Sequence, residues 1–360
     1  MKGTAQTVKR KYLVSGDLRT IVSRWIGDNG PFYLPDKQVF EKLQTALVVK
    51  LKEILLPDGV EVVYLHWDML KTGMLVLISK HAGDCPVISM DDVYVEKGVA
   101  DIYFDSCRIV KWSKHEAQKD WFRGWTEIGR GSRTPNLGVA MQLDRIVNQG
   151  RIKRMQDKRV VVVDEGTWTL QSLAAFQKLL AEYDIRVEKF IVGIEIRPAS
   201  ETKAEEEVLG RPFFWVEKYL REDVVDWVGE RDFFPGVGFS GRTLGEKVEN
   251  DFPSPTMRQH YYAVPMEGNY GAPYLLPLGD PTAWANIPAK KAREFSLFCL
   301  DLTIQLYQAI EAETKRITKN SVYVHVKDLE RPPYFFRKHG DEKVVDELEK
   351  AKAFLTGNFK

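Results

Sequence analysis

Apolar residues along the chain switch between helical spacing and short β-branched runs, and the switches predict its elements. Lys37–Leu56 places Val39, Phe40, Leu43, Leu47, Val48, Leu51, Ile54 and Leu55 at helical spacing, and Pro57, Asp58 and Gly59 stop the helix. Val60–Leu65 is a β-branched run of the kind that forms a buried strand. His66–Gly73 has the composition of a turn, Met74–His81 of a helix ended by Gly83, and Cys85–Met90 of a second strand. Helix, strand, turn, helix, strand is the rhythm of a mostly parallel sheet. Strand-like pieces near Val93–Glu96 and Ala100–Val110 predict a hairpin, followed by a polar stretch rich in Gly, Arg and Trp, Trp121–Asn136.

The clearest pair of elements follows. Arg159–Val163 has a wholly aliphatic core, Asp164–Thr169 reads as a turn, and Leu170–Tyr183 is an amphipathic helix. Asp184–Glu188 is a short connection to another strand, Lys189–Ile196, as a βαβ unit requires. Glu201–Glu207 is an exposed charged stretch, and Asp223–Val228 is expected as the last strand of the sheet. The glycine-rich Arg231–Arg242 lacks the spacing of a nucleotide-binding P-loop, so a turn against the sheet edge is expected. Pro and aromatic residues dominate from Asp251 to Pro288. Lys290–Thr318 then predicts one long helix for core packing or a dimer face, Ser321–Val326 a strand and Asp341–Leu355 a terminal helix. The expected class is α/β: a mostly parallel sheet flanked by helices over residues 1–250, and a mainly helical extension over 251–360.

Composition narrows the function. At 360 residues, 44% hydrophobic and 29% charged, the chain has ample core-forming material and is not a disordered, collagen-like or disulfide-scaffold protein. Lys and Arg number 52 against 51 Asp and Glu, and a net charge of +1 disfavours a partner recognised through a nucleic-acid backbone. Cys85, Cys107 and Cys299 stand far apart and the six histidines are scattered, so no zinc-like cluster is expected and a reducing compartment is. No apolar run approaches the ~20 residues of a membrane span. The first residues, MKGTAQTVKRKYLVSG, lack the apolar core of a secretion signal, so a cytoplasmic protein with no membrane partner is expected.

The candidate chemistry lies in VVVVDEGTWTLQS, Val160 to Ser172. Side chains and loop amides at the carboxyl end of a parallel strand point into the crevice where open α/β sheets bind ligands. The helix that follows adds unpaired amides and a positive dipole end, a seat for a phosphate. Two adjacent acids beside such a seat can accept hydrogen bonds from vicinal hydroxyls, which suits a sugar phosphate.

This stretch resembles the ribose-phosphate motif of the type I phosphoribosyltransferases, in which four hydrophobic residues precede two acids and a phosphate loop. Asp164 and Glu165 take the place of the acids, Gly166 and Thr167 the variable pair, and Thr169 and Ser172 match the loop. Trp168 and Leu170 depart from the pattern, and Leu170 stands where the family has glycine. The resemblance implies transfer of ribose 5-phosphate from phosphoribosyl pyrophosphate to a purine-like base. Asp164 and Glu165 would be catalytic, and Gly166, Thr167, Thr169 and Ser172 would hold the 5-phosphate. Lys71, Thr72 and Gly73, on the expected loop after the earlier strand, would face the pyrophosphate together with Mg²⁺. Arg123, Arg130 and Arg133 of the Trp121–Asn136 stretch would meet the same diphosphate. Trp227 and Asp232, in DWVGERD, would read the base. The departures leave open a fold that binds a nucleotide or regulates without turnover.

Overall fold

A computed structural model describes residues 10–133, 138–198, 209–245, 255–260 and 270–357. The chain begins with strand β1 (Arg10–Gly16), α1 (Leu18–Asn29), α2 (Lys37–Leu55), β2 (Val60–His66) and α3 (Trp67–His81). Then come β3 (Val87–Ser89), β4 (Ile102–Tyr103), β5 (Cys107–Trp112), α4 (Lys114–Lys119) and β6 (Trp125–Gly131). The central unit follows: α5 (Val139–Asn148), α6 (Gly150–Arg154), β7 (Arg159–Thr167), α7 (Gln171–Ala181), β8 (Arg186–Arg197) and β9 (Phe213–Leu220). After these stand β10 (Val224–Gly229), β11 (Arg242–Leu244), α8 (Pro255–His260), β12 (Gly271–Ala272), α9 (Pro281–Trp284), α10 (Ala289–Thr318) and α11 (Val344–Thr356).

The architecture is α/β, with helices flanking mostly parallel strands and a helical C-terminal region. One sheet runs β4-β3-β7-β8-β9, all parallel. A second, β10-β1-β2, is also parallel, and a third, β12-β11-β5-β6, is mixed. The four valines of β7 explain its central place. Val160 and Val162 pack with Leu173, Phe176 and Leu179 of α7 on one face. Val161 and Val163 pack with Met74 and Ile78 of α3 on the other. A strand covered on both faces has no polar side, hence the unbroken aliphatic run.

Several expectations are corrected. β1 and α1 were not foreseen. β1 lies between β10 and β2, and its Tyr12, Leu13 and Val14 are fully buried in a core shared with Phe295, Leu300 and Leu306 of α10. His66–Gly73 is not a turn but the start of α3, because Leu70, Met74 and Ile78 form one buried face four residues apart. Gly73 is tolerated there for packing: a Cβ would stand 2.3 Å from Cγ1 of Val216 on β9. Val93–Glu96 forms no strand, since the amides of Val93, Tyr94 and Val95 all donate to the Asp91 carboxylate. The hairpin forms instead between β5 and β6, with Trp112 opposite Trp125.

Asp164–Thr167 is not a turn either; it continues β7, paired with β8 as far as Thr167 opposite Glu195. Asp223–Val228 corresponds to β10, which joins β1, while β9 occupies the edge beside β8. Ser321–Val326 makes only an isolated bridge, His325 to Lys343, because Glu311 and Asp328 side chains take the amides of Val324 and His325. The long helix and the terminal helix stand as α10 and α11. The charged stretch Glu201–Glu207, the residue near 250 expected as a boundary, and residues 134–137 lie outside the described residues. No described helix is long and apolar enough to cross a membrane.

Candidate functional site

Both parallel sheets end at one cavity of about 420 Å³. β7 delivers the acidic motif to it: Asp164, Glu165, Gly166, Thr167, Trp168, Thr169 and Ser172 all line the wall. Neighbouring strand side chains point to opposite faces, and the cavity straddles the end of β7, so both acids reach it. Thr167 is buried, and its hydroxyl accepts a bond of 3.0 Å from the amide of Leu170, which folds the loop over. Leu170 stands at φ +57, the left-handed region that glycine enters freely, and its side chain is buried against α7. α7 opens with no side-chain cap and no acid in its first turn, so its positive end faces the loop uncompensated. Gly166 is required by what crosses it: a Cβ would stand 2.5 Å from the Trp227 ring and 2.7 Å from the carbonyl of Ile194.

The acids crowd one side. Burial pushes the Asp164 carboxyl up to about 8, with Glu165 and Asp91 adding and Arg130 opposing. Asp91, beyond β3, is likewise pushed up to about 7 by burial, then by Glu165 and Asp92. Guanidinium groups line the same cavity. Arg130 stands near the end of β6, and Arg133, just past the strand, lies over the Phe239 ring and 3.5 Å from Asp105. Arg108 of β5 and Arg242 of β11 both reach Glu127, the former at 3.9 Å.

Aromatic rings line the cavity as well. Arg242 lies 4.7 Å over the Trp284 ring, which tilts against Tyr274. Asp226, raised to about 6 mainly by burial, accepts from its neighbour's amide and from Asn286 Nδ2. Trp227 lines the cavity with its indole N–H bonded to Ser15 Oγ at 2.7 Å. Asp232 also lines it, but its carboxylate straps two backbone amides, Gly229 at 3.1 Å and Gly241 at 2.8 Å.

The structure thus brings together Asp164, Glu165, Gly166, Thr167, Thr169, Ser172, Trp227, Asp232, Arg130 and Arg133. It does not bring Lys71, Thr72 or Gly73 to the cavity wall. They lie within α3, where Lys71 pairs with Glu96 at 2.6 Å and covers the Trp67 ring. Arg123 also stands apart, exposed and 3.8 Å from Asp120. Sequence reasoning missed Asp91, Arg108, Arg231, Arg242 and Trp284. For Asp91 a signal existed, since it follows a predicted strand end just as Asp164 does. Among the described residues no group of three or more His, Cys, Asp or Glu is arranged to hold a metal ion.

No known family description matches the chain, and no curated protein does. Among solved structures it is similar to a hypothetical protein from Neisseria gonorrhoeae with bound ppGpp, at 15% identity and a TM-score of 0.26, over 44% of this chain and 82% of that one. A likeness of that size carries no argument about this site.

Proposed function

We propose that the cavity binds a phosphoribosyl ligand, either phosphoribosyl pyrophosphate or a nucleotide. The observation that carries this reading is the convergence of the whole Asp164–Ser172 motif, the open N-terminus of α7 and the Arg130 and Arg133 side on one cavity. Asp164 and Glu165 accept from the ribose hydroxyls. The loop from Gly166 to Ser172 and the first amides of α7 hold the 5-phosphate. Arg130 and Arg133 take the place proposed from sequence for Lys71, Thr72 and Gly73 on a diphosphate. Trp227 and the Trp284 wall accept a flat, purine-like base, and Asp232 shapes the loop beneath it. If the ligand reacts, the Glu165 carboxylate stabilises positive charge that develops on the ribose ring as the diphosphate leaves, with Asp164 beside it.

Leu170 favours a second reading, a nucleotide-binding fold without turnover. Its left-handed backbone and buried side chain occupy the place where glycine lets a phosphate approach closely.

Calorimetric titration with phosphoribosyl pyrophosphate, with and without Mg²⁺, tests both readings. Binding is expected in the native chain and lost in Asp164→Asn/Glu165→Gln. No heat at millimolar ligand with either phosphoribosyl pyrophosphate or nucleotides would overturn the phosphoribosyl reading. Release of pyrophosphate on adding a base separates transfer from binding alone.

A further inference from the structure

Three strand ends meet behind the acid pair, and one buried side chain joins them. Arg231 follows β10, Asp17 follows β1, and Glu165 lies near the end of β7. The Arg231 amide donates to Asp17 Oδ1 at 3.0 Å while Nη1 pairs with Asp17 Oδ2. Nη2 reaches Glu165 Oε2 at 3.4 Å. The Arg231 side chain is 7% exposed and that of Asp17 is fully buried, whereas Glu165 retains 31% exposure towards the cavity. A planar guanidinium presents five donors in a fixed fork, so it can hold two carboxylates at once in a set geometry; an ammonium can bridge two carboxylates but has no fixed fork to orient them. The near neighbours of Asp164 are Glu165, Asp91 and Arg130, and its carboxylate accepts from the Glu165 amide at 2.9 Å.

We infer that Arg231 is a positioning residue for the ligand site: it fixes Glu165 against the buried Asp17, so that one member of the acid pair meets the ribose hydroxyls as an oriented carboxylate. This rests on the phosphoribosyl reading of the cavity. Adjacent carboxylates repel, and a free pair would turn apart or share a proton. The clamp removes that freedom from Glu165 before the ligand arrives, which lowers the ordering cost of binding.

The test is a double-mutant cycle on the full chain, titrated with phosphoribosyl pyrophosphate. Arg231→Gln and Glu165→Gln are each expected to weaken binding roughly 10- to 100-fold, with the stoichiometry unchanged. The double variant is expected to be no weaker than the poorer single variant, because both changes remove one arrangement. Losses that multiply, or an Arg231→Gln chain that binds like the native one, overturn the inference. Arg231→Lys keeps the charge but not the fork, so its affinity should fall between those of Arg231→Gln and the native chain; full recovery reduces the role to net charge and also overturns it. If Arg231→Gln does not fold, Asp17→Asn replaces it in the cycle. If the native chain binds no phosphoribosyl ligand, that reading fails on its own. The same cycle read by urea unfolding without ligand still decides whether Arg231 and Glu165 are coupled, and additive losses there overturn the clamp.

Discussion

Two of the junctions that carry a parallel strand into a helix, β2–α3 and β7–α7, make a contrast: only the second lines the cavity. β2 runs to His66 and α3 begins at Trp67, without an intervening residue. β7 runs to Thr167 and α7 begins at Gln171, leaving Trp168, Thr169 and Leu170 between. α3 carries Asp68 in its first turn, which answers the positive end of its own dipole, whereas α7 has no acid there. Each junction has its glycine. Gly73 admits a neighbouring strand's valine, and Gly166 admits the Trp227 ring. A strand–helix corner becomes a ligand seat when the connection has slack and the helix end is left electrostatically unanswered. It stays structural when the chain closes both accounts itself.

The comparison can be broken at either corner. The largest effect expected is on pH dependence. The Asp164 carboxyl titrates at about 8 in the fold against an ordinary 3.8, so between those values the folded chain keeps a proton that the unfolded chain has released. Stability from this group therefore falls as pH rises from about 4 to about 8, by at most about 1.4 kcal/mol per pH unit. Urea midpoints measured across that range should fall for the native chain and fall less steeply in Asp164→Asn, the remaining slope coming from the buried carboxyls of Asp91, Asp17, Glu230 and Asp226, which are raised in the same way. Lys71→Met, at the other corner, should leave the slope unchanged.

Next comes Gly166→Val, whose new side chain meets the Trp227 ring and the Ile194 carbonyl. Overpacking of this kind costs about 1–3 kcal/mol. Urea unfolding should show that loss, and calorimetry should show the ligand lost with it.

Leu170→Gly sharpens the contrast from the other direction. It relieves a left-handed backbone worth roughly 1–2 kcal/mol but removes a buried leucine worth about 1.5–3 kcal/mol. A net loss of about 1 kcal/mol is expected in a thermal melt, with tighter rather than weaker binding of the 5-phosphate. The smallest effect belongs to Lys71→Met. An ion pair on an open helix face contributes ~1 kcal/mol or less, and ligand affinity should remain within about twofold of native.

Much of the β7–α7 corner was legible in the sequence and much of the rest was not, for one reason. Val160–Val163 and the amphipathic α7 announce themselves through local periodicity, so the acid pair could be located before its surroundings were known. The Lys71–Gly73 corner failed because a turn-like composition masked the buried stripe of Leu70, Met74 and Ile78. Arg231, Arg242 and Asp17 carry no local pattern. Their meaning comes from partners 214, 115 and 214 residues away in sequence, which only the sheet order brings near. The amphipathic spacing predicts a helix that starts at Leu170. Leu170 is instead the residue before it, because the Thr167 hydroxyl takes its amide and turns the backbone left-handed.

β1 also bears on how the molecule is made. It is the middle strand of its sheet, and one neighbour, β10, lies more than two hundred residues later in the chain, with Tyr12 bonded to the carbonyl of Ala285 beyond that. Emerging from a ribosome ahead of both neighbours, β1 finds β2 soon but must wait for more than two hundred further residues before its other edge is covered. An apolar strand half-paired for that long is the kind of surface that chaperones hold. Yield in a cell should therefore depend on how quickly residues 224–300 follow, more than on the stability of the finished fold.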